Sequence, residues 1–356
     1  MFIGFGFFGI GTAARRENEA VAYIVKMPKK GIQTYRYWVY GLSITSEIRL
    51  DDLLPNGSPL SKDVRISFGS LSVSDLTDRT KAFERFESPG KTVIVSENSM
   101  YIEWERVGRF LIGFGNEVIV DPEPGVTESD LQPFITGPVL SVILHQRGLF
   151  VLHSSAVSIG GKAVVFLGSK GDGKSTLAAH LQMRGHQLIS DDLVPVKFVR
   201  DRATTFSGYH RIKLNEDSII AVGNRPDTFP LVHRFVEKRS FRPEGGISKR
   251  PVDLLAVYIL TEDADISLSK LNPAAAFIEL TKHSFVKKFL SAMNSRQEHF
   301  HQCERLVRSI PIMRLGRPHD FAVIDEVCRQ VEDHARRLGP ETRQNDSKSS
   351  NLSKLT

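Results

Sequence analysis

The chain has 356 residues, of which 41% are apolar and 25% charged, as expected for a globular protein that can bury a sizeable core. Its formal net charge is +6, but lysine and arginine are spread along the chain. This spread fits an anionic ligand or an acidic partner and does not favour nucleic-acid binding. The two cysteines, Cys303 and Cys328, are too few for a disulfide framework and match no zinc spacing. We therefore expect a cytoplasmic protein.

The first 128 residues show no catalytic motif. Residues 1–27 begin with an apolar run too short to span a bilayer, and we expect them to form a flexible extension rather than a membrane segment. Residues 28–128 carry short β-prone runs separated by turn residues, which predicts a strand-rich N-terminal domain. The runs are Tyr37 to Tyr40, Val64 to Phe68, Thr92 to Val95, Met100 to Trp104, Phe110 to Gly113 and Glu117 to Val120.

Residues 129–340 have the rhythm of an α/β domain. A helical apolar pattern covers Leu131 to His145, and strand, loop and helix patterns follow from Leu149. Near the end, apolar residues recur at intervals of three and four from Phe321 to Leu338 and predict a core helix that Gly339 and Pro340 end. The polar, aperiodic residues 341–356 are expected to be a disordered tail.

One segment of this domain fits the phosphate-binding pattern G-x-x-x-x-G-K-[ST]. It follows the apolar strand Ala163 to Leu167 and opens a helix that runs from Lys174 to Met183, so both flanks required of a P-loop are present. The segment predicts a site for ATP and Mg²⁺. Its residues are Gly168, Ser169, Lys170, Gly171, Asp172, Gly173, Lys174, Ser175 and Thr176.

Within this loop, the residue types match separate tasks. Glycines let the backbone turn its N–H groups toward phosphate, and the helix N-terminus adds a positive dipole end. We expect Lys174 to reach the β- and γ-phosphates and the hydroxyl of Ser175 to bind Mg²⁺. Asp172 would repel phosphate, so its side chain is predicted to point to solvent.

Asp191 and Asp192 follow the apolar run Gln187 to Ser190, directly after the P-loop helix. A carboxylate at the end of such a strand can hold the Mg²⁺ of a P-loop site. If the pair continues the strand, the two side chains face opposite sides. One carboxylate can then bind the metal while the other accepts a proton from an acceptor hydroxyl. Without a P-loop nearby, the pair would be interpreted as an acidic turn or a solvated strand end.

Other candidates are weaker. His153 ends the strand that precedes the P-loop strand, where a histidine is as readily a core or edge residue. Lys238, Arg239 and Arg242 lie in a basic stretch that could contact phosphate or a peptide acceptor, or could be a solvated loop.

Taken together, these motifs resemble the HPr kinase/phosphorylase superfamily. The resemblance rests on the P-loop, on the preceding His153, and on the run Arg184 to Asp192, which is similar to the family's R-G-H-x-L-[VI]-x-D-D stretch. It is strongest over residues 145–214. Tyr40 to Leu53 and Arg211 to Leu214 also resemble segments of HPr-kinase-like proteins encoded beside peptide natural-product genes, including lasso-peptide maturation kinases.

The resemblance implies a fold, a reaction and roles for named residues. The fold would be a P-loop kinase domain of the HPr-kinase type, like that of phosphoenolpyruvate carboxykinases. Asp191 would be the base toward the acceptor serine, His153 would orient or polarise that base, and Asp192 would bind Mg²⁺ together with Ser175. The chain departs from the family at Ser175-Thr176, where HPr kinases usually have Ser-Glu, and the C-terminal motif of the reverse reaction is not found.

The sequence therefore predicts an ATP-dependent serine kinase that phosphorylates a Ser or Thr hydroxyl on a small protein or precursor peptide. Two other functions stay open: a P-loop ATPase or regulator without a phospho-acceptor, and a small-molecule kinase. Whether the chain forms a homo-oligomer is also left open.

Overall fold

The computed structural model describes residues 33–56, 64–72, 83–200, 202–233, 236–242 and 249–339. The predicted N-terminal extension, residues 1–27, and the predicted tail, residues 341–356, lie outside the described residues. The described chain is a mixed α/β structure with two nine-stranded sheets and one small sheet. The predicted α/β class with a strand-rich N-terminal part is confirmed.

The N-terminal sheet has the strand order β3-β1-β2-β4-β9-β8-β7-β6-β5. Strands β5 to β9 form an antiparallel meander, whereas β4 pairs in parallel with both β2 and β9. Each of the six β-prone runs of the sequence falls on a strand of this sheet, although the first run extends one residue past β1, to Tyr40. The strands are β1 (Tyr35–Val39), β2 (Leu42–Ser46), β3 (Leu54–Pro55), β4 (Val64–Phe68), β5 (Glu84–Ser88), β6 (Lys91–Val95), β7 (Ser99–Trp104), β8 (Gly108–Gly113) and β9 (Glu117–Pro122).

The segment after β9 is helical, as predicted, and covers one face of this sheet. It consists of helix α1 (Glu128–Phe134), a π-helical turn (Ile135–Val139) and helix α2 (Leu140–Gln146). Leu131, Ile135 and Leu140 are buried in the same cluster as Ile44 and Phe110 of the sheet. These helices therefore complete the core of the N-terminal sheet, and the predicted boundary at residue 128 remains a prediction.

The second large sheet has the order β10-β14-β15-β19-β12-β11-β13, and β21 pairs with β19 and β20. Strand β12 is central, antiparallel to β11 and parallel to β19. The sheet comprises β10 (Phe150–His153), β11 (Ser155–Ile159), β12 (Lys162–Leu167), β13 (Gln187–Ser190), β14 (Leu193–Val199), β15 (Arg202–Thr205), β19 (Val252–Glu262), β20 (Ser267–Lys270) and β21 (Ile312–Arg317).

A three-stranded sheet and five further helices complete the described chain. The small sheet has the order β16-β18-β17. Its strands are β16 (Ile212–Leu214), β17 (Leu231–His233) and β18 (Val236–Phe241). The helices are α3 (Lys174–Met183), α4 (Glu216–Ala221), α5 (Pro273–Lys282), α6 (Arg296–Ser309) and α7 (Ile324–Leu338), and short 3-10 turns lie at Pro226–Thr228 and Phe321–Val323.

Helix α7 is the predicted closing core helix. The middle of its apolar stripe is buried, with Val327 and Val331 fully enclosed beside helix α3. The two ends of the predicted stripe, Phe321 and Leu338, are exposed. The helix ends at Leu338, and Gly339 has an extended backbone conformation. None of the helices in the described ranges combines the length and the apolar character needed to cross a membrane.

Candidate active site

The phosphate-loop segment lies between the central strand β12 and helix α3. Strand β12 ends at Leu167, and α3 begins at Lys174, as the sequence predicts. Gly171 and Gly173 have φ angles of +103° and +78°, in the region that side-chain-bearing residues rarely adopt. Glycine at these two positions therefore lets the chain turn tightly from the strand into the helix.

Lys174 is folded back over this loop. Its Nζ donates hydrogen bonds to the carbonyl oxygens of Gly168 and Ser169, both at 2.9 Å, and the side chain is buried. Burial lowers the pKa of Lys174. The negative charges of Asp172 and Asp191 oppose that shift, and the like charge of Lys238 adds to it. The ammonium group thus lies inside the loop, where it can meet a phosphate.

The prediction for Asp172 is correct only in part. The residue is partly exposed, but its carboxylate also contacts the loop and accepts a hydrogen bond from the backbone N–H of Ser169. A free N–H group in a tight loop attracts any nearby anion, and the Asp172 side chain is the nearest one. The loop is thus partly closed by its own carboxylate.

The twin acids lie in a break between two strands. Strand β13 ends at Ser190 and β14 begins at Leu193, so Asp191 and Asp192 do not continue a strand as predicted. Asp192 has a φ angle of +73°, in the left-handed region that aspartate tolerates better than most residues. The two carboxylates therefore have different surroundings because the backbone turns between the strands, and not because side chains alternate along one strand.

Asp191 is fully buried and accepts three hydrogen bonds. The hydroxyls of Ser175 and Ser155 donate to its Oδ1, the former at 2.9 Å, and the backbone N–H of Lys213 donates to its Oδ2 at 3.0 Å. Burial, and secondly the charge of Asp192, raise the pKa of Asp191. The bond from Ser175 joins the P-loop helix directly to the acid pair.

Asp192 is held by Lys213, whose Nζ lies 2.5 Å from its Oδ2. Burial opposes the charged form, but the ammonium of Lys213 outweighs it and lowers the pKa of Asp192. Lys213 therefore contacts both acids, one through its backbone and one through its side chain. The sequence did not single out Lys213 or Ser155 for a role, although Arg211 to Leu214 belongs to the looser resemblance.

His153 lies next to the same pair. Its Nδ1 is 3.1 Å from the backbone carbonyl oxygen of Asp192. Because a carbonyl oxygen can only accept, Nδ1 carries the proton and Nε2 is left with its lone pair. Burial lowers the pKa of His153, against the raising effect of Asp192, so the ring is neutral at pH 7.

The N-terminal sheet reaches this site through Tyr40, which follows β1. The hydroxyl of Tyr40 lies 3.0 Å from the hydroxyl of Ser190, the residue before Asp191. A Cβ on Gly208 would lie 2.5 Å from the Ser190 hydroxyl, so glycine is required for this approach. A second contact is the salt bridge between the buried carboxylate of Asp52 and Arg211, which lies two residues before Lys213.

The three basic residues that the sequence suggested, Lys238, Arg239 and Arg242, have different partners in the structure. Arg239 pairs with Glu216, and Arg242 pairs with Asp52. Lys238, by contrast, is close enough to lower the pKa values of Lys174 and Asp192, in each case after larger effects that begin with burial. Lys238 is therefore the one of the three that can influence the phosphate loop.

The R-G-H part of the motif stabilises the fold. Arg184 donates from Nε and Nη2 to the two carboxylate oxygens of Glu332 in helix α7, at 2.8 and 2.9 Å. Nε2 of His186 lies 3.0 Å from the same carboxylate. The hydrogen bonds from Arg184, helped by His186, lower the pKa of Glu332 to about 2, against the effect of burial. These residues fasten α7 to the end of α3.

We expect this pKa shift to make the contribution of Glu332 to stability depend on pH. A carboxylate whose folded pKa is depressed stabilises the fold above its ordinary value of 4.5 and loses that contribution as the pH falls toward 2. The free energy of unfolding of wild type should exceed that of Glu332→Gln at pH 6, and the gap should close toward pH 2.5. Denaturant unfolding at several pH values measures it; a constant gap would contradict the prediction.

The structure thus brings the predicted residues together. Ser175 is hydrogen-bonded to Asp191, and His153 is hydrogen-bonded to the backbone of the next residue, Asp192. Lys174 folds over the neighbouring loop. Of the other loop residues, Ser169 and Lys170 are exposed, and the hydroxyl of Thr176 bonds to Ser218. Within the described residues, no group of three or more His, Cys, Asp or Glu side chains could hold a metal by itself.

A glycine-rich loop at the end of a central strand, close to a carboxylate pair, is the arrangement expected of sites that bind nucleotide phosphates. No family model matches the chain. An HPr kinase/phosphorylase of Lachnoclostridium phytofermentans is 42% identical over 88 residues, which are 25% of this chain and 22% of that protein. The predicted resemblance to HPr kinases is confirmed by this match, although the match spans only about a fifth of the relative's length.

A solved structure is also similar in part. The Hpr(Ser) kinase/phosphatase of Coxiella burnetii aligns with 53% of this chain and 97% of its own, at 13% identity and a TM-score of 0.28. A similarity of this degree carries no argument about activity or fold, so the assignment of a reaction rests on the site.

Proposed function

We propose that this protein transfers the γ-phosphoryl group of ATP to a Ser or Thr hydroxyl on a small protein or peptide. The observation that carries the proposal is the 2.9 Å hydrogen bond from Ser175 to Asp191, because it brings the phosphate loop and the acid pair into one site. The relative's name, HPr kinase/phosphorylase, supports a kinase with a protein acceptor. The departure at Thr176 argues for an acceptor other than HPr, such as a precursor peptide.

The residues present fit Mg²⁺. The hydroxyl of Ser175 and the carboxylates of Asp191 and Asp192 offer oxygen ligands, which Mg²⁺ prefers. Few protein ligands suffice, since the ion at a P-loop site takes its remaining ligands from nucleotide phosphates and water. When bound, Mg²⁺ neutralises charge on the phosphates.

The side chains divide the remaining tasks. Lys174 would bind the β- and γ-phosphates in place of the two loop carbonyls that it now contacts. Asp191 would accept the proton of the acceptor hydroxyl, which its raised pKa supports, and neutral His153 would hold the adjacent backbone in place. Asp192 would bind the metal with Ser175. The contact of Ser175 with Asp191 is also compatible with exchanged roles of the two acids, and variants of each decide between the two assignments.

The fate of the γ-phosphate of labelled ATP tests the proposal. The protein is incubated with labelled ATP, Mg²⁺ and the small proteins and peptides encoded near it, with Lys174→Ala as control. Label on a Ser or Thr of one polypeptide, absent with Lys174→Ala, supports the kinase. Label released only as inorganic phosphate supports an ATPase or regulator, and label on a metabolite supports a small-molecule kinase; either result overturns the proposal.

Asp172 is predicted to weaken nucleotide binding in the wild-type protein. Its carboxylate occupies the N–H of Ser169 and carries a charge that repels phosphate. Asp172→Asn keeps an oxygen acceptor of the same shape but removes the charge. We expect it to lower the Kd for ATP about three- to tenfold, equivalent to about 1 kcal/mol. Calorimetric titration with ATP measures this change; weaker binding would mean that the carboxylate supports the loop instead.

A further inference from the structure

Arg317, the last residue of strand β21, lies against the phosphate loop although it is distant in sequence. The side chain is buried, with an exposed fraction of 6%. Its Nη2 donates to the backbone carbonyl of Asp172 at 2.7 Å, and its Nη1 donates to the carbonyl of Pro318 at 3.2 Å. Strand β21, which is separated from the P-loop strand β12 by β19, therefore places a guanidinium group against the loop.

The approach of Arg317 depends on Gly173. A Cβ added at Gly173 would lie 2.3 Å from Nη2 of Arg317, far inside any contact distance. Gly173 also has a φ angle of +78°. Both the backbone turn and the room for the guanidinium thus require glycine at this position.

The hydrogen bond fixes the direction of one peptide group. In a trans peptide the C=O and the following N–H point in opposite directions, and the described residues include no cis peptide bond. Because the Asp172 carbonyl points to Arg317, the N–H of Gly173 points away from it. N–H groups of this part of a P-loop are the ones that bind phosphate oxygens.

We propose that Arg317 is a positioning residue for nucleotide binding, which holds the Asp172–Gly173 peptide so that the Gly173 N–H faces the phosphates. The inference rests on the proposed function only in assuming that the loop binds nucleotide phosphates. The buried guanidinium also places a positive charge beside the phosphate site. Neither lysine nor a neutral side chain can hold the Pro318 and Asp172 carbonyls at once with the same planar geometry.

Binding measurements on three variants test this role. Arg317→Met removes the donor, Arg317→Lys keeps a charge with different geometry, and Arg314→Met is the control, an exposed arginine on the same strand. The ligands are ATP and inorganic pyrophosphate, so that phosphate binding is measured with and without the nucleoside. A thermal unfolding scan of each variant reports whether it is folded.

We expect Arg317→Met to raise the Kd for ATP and for pyrophosphate by a similar factor, about tenfold or more. Arg317→Lys should raise both about threefold, and Arg314→Met should change neither. If folded Arg317→Met binds both ligands within about twofold of wild type, the inference is overturned. Should Arg317→Met not fold, unchanged binding by Arg317→Lys would overturn it equally. Wild type that binds neither ligand would instead overturn the proposed function.

Discussion

Asp191→Asn is expected to abolish phosphoryl transfer and to leave the Kd for ATP within about threefold of wild type. The amide has the shape of the carboxylate but cannot accept the proton of the acceptor hydroxyl, and a general base contributes roughly a hundred- to ten-thousandfold to a rate. Lys174 and the loop backbone, which would hold the phosphates, keep their own contacts. Transfer at saturating ATP and direct titration of ATP measure the two effects. A variant that phosphorylates acceptor at the wild-type rate would contradict the base assignment.

Asp192→Asn is the matched comparison, and Mg²⁺ separates the two roles. If Asp192 binds the metal, its variant needs a higher Mg²⁺ concentration for half-maximal transfer, whereas Asp191→Asn stays inactive at every concentration. The opposite pattern would assign the metal to Asp191, which accepts the hydrogen bond from Ser175, and would contradict the proposed roles. Titrating Mg²⁺ against transfer rate in both variants distinguishes the assignments.

Lys213→Met is expected to destabilise the fold by about 3 kcal/mol and to abolish transfer. The side chain of Lys213 is only 15% exposed and is the close cation partner of Asp192. Removing one partner of a buried ion pair leaves an uncompensated charge, which here lies beside a second carboxylate. Denaturant unfolding gives the free energy, and the exposed Lys197→Met, on strand β14, is the control.

The double variant Lys213→Met with Asp192→Asn tests whether the unpaired charge of Asp192 causes the loss of stability. Because the double variant lacks that charge, it should recover much of the lost stability while transfer stays absent. If the free energy of unfolding of Lys213→Met alone lies within about 0.5 kcal/mol of the wild-type value, the ion pair does not stabilise the acid pair.

The parts of the site that are local in sequence could be predicted. The P-loop, the helix from Lys174 to Met183 and the twin acids each occupy one short run whose residue types and flanking patterns suffice. The strand-rich N-terminal part and helix α7 were also predictable, because hydrophobic periodicity depends on local sequence.

Contacts between distant segments could not be predicted. Lys213, Arg317 and Tyr40 reach the site only because strands β16, β21 and β1 meet near the loop. The looser resemblance includes Lys213 and Tyr40, but it assigned a role to neither. The break at Asp192 was also missed, since a strand pattern on both sides gave no sign of its left-handed backbone. The prediction for Asp172 missed its contact with the loop because it considered the charge of the phosphate but not the N–H of Ser169.

The central claim is that the phosphate loop and the acid pair form one site for ATP and Mg²⁺. A crystal structure with Mg²⁺ and a non-hydrolysable ATP analogue tests it most directly. We predict the γ-phosphate within hydrogen-bonding distance of the Lys174 ammonium, and Mg²⁺ bound by Ser175 and at least one of Asp191 and Asp192. A nucleotide bound elsewhere, or a loop whose Lys174 keeps its contacts with Gly168 and Ser169, would contradict the account.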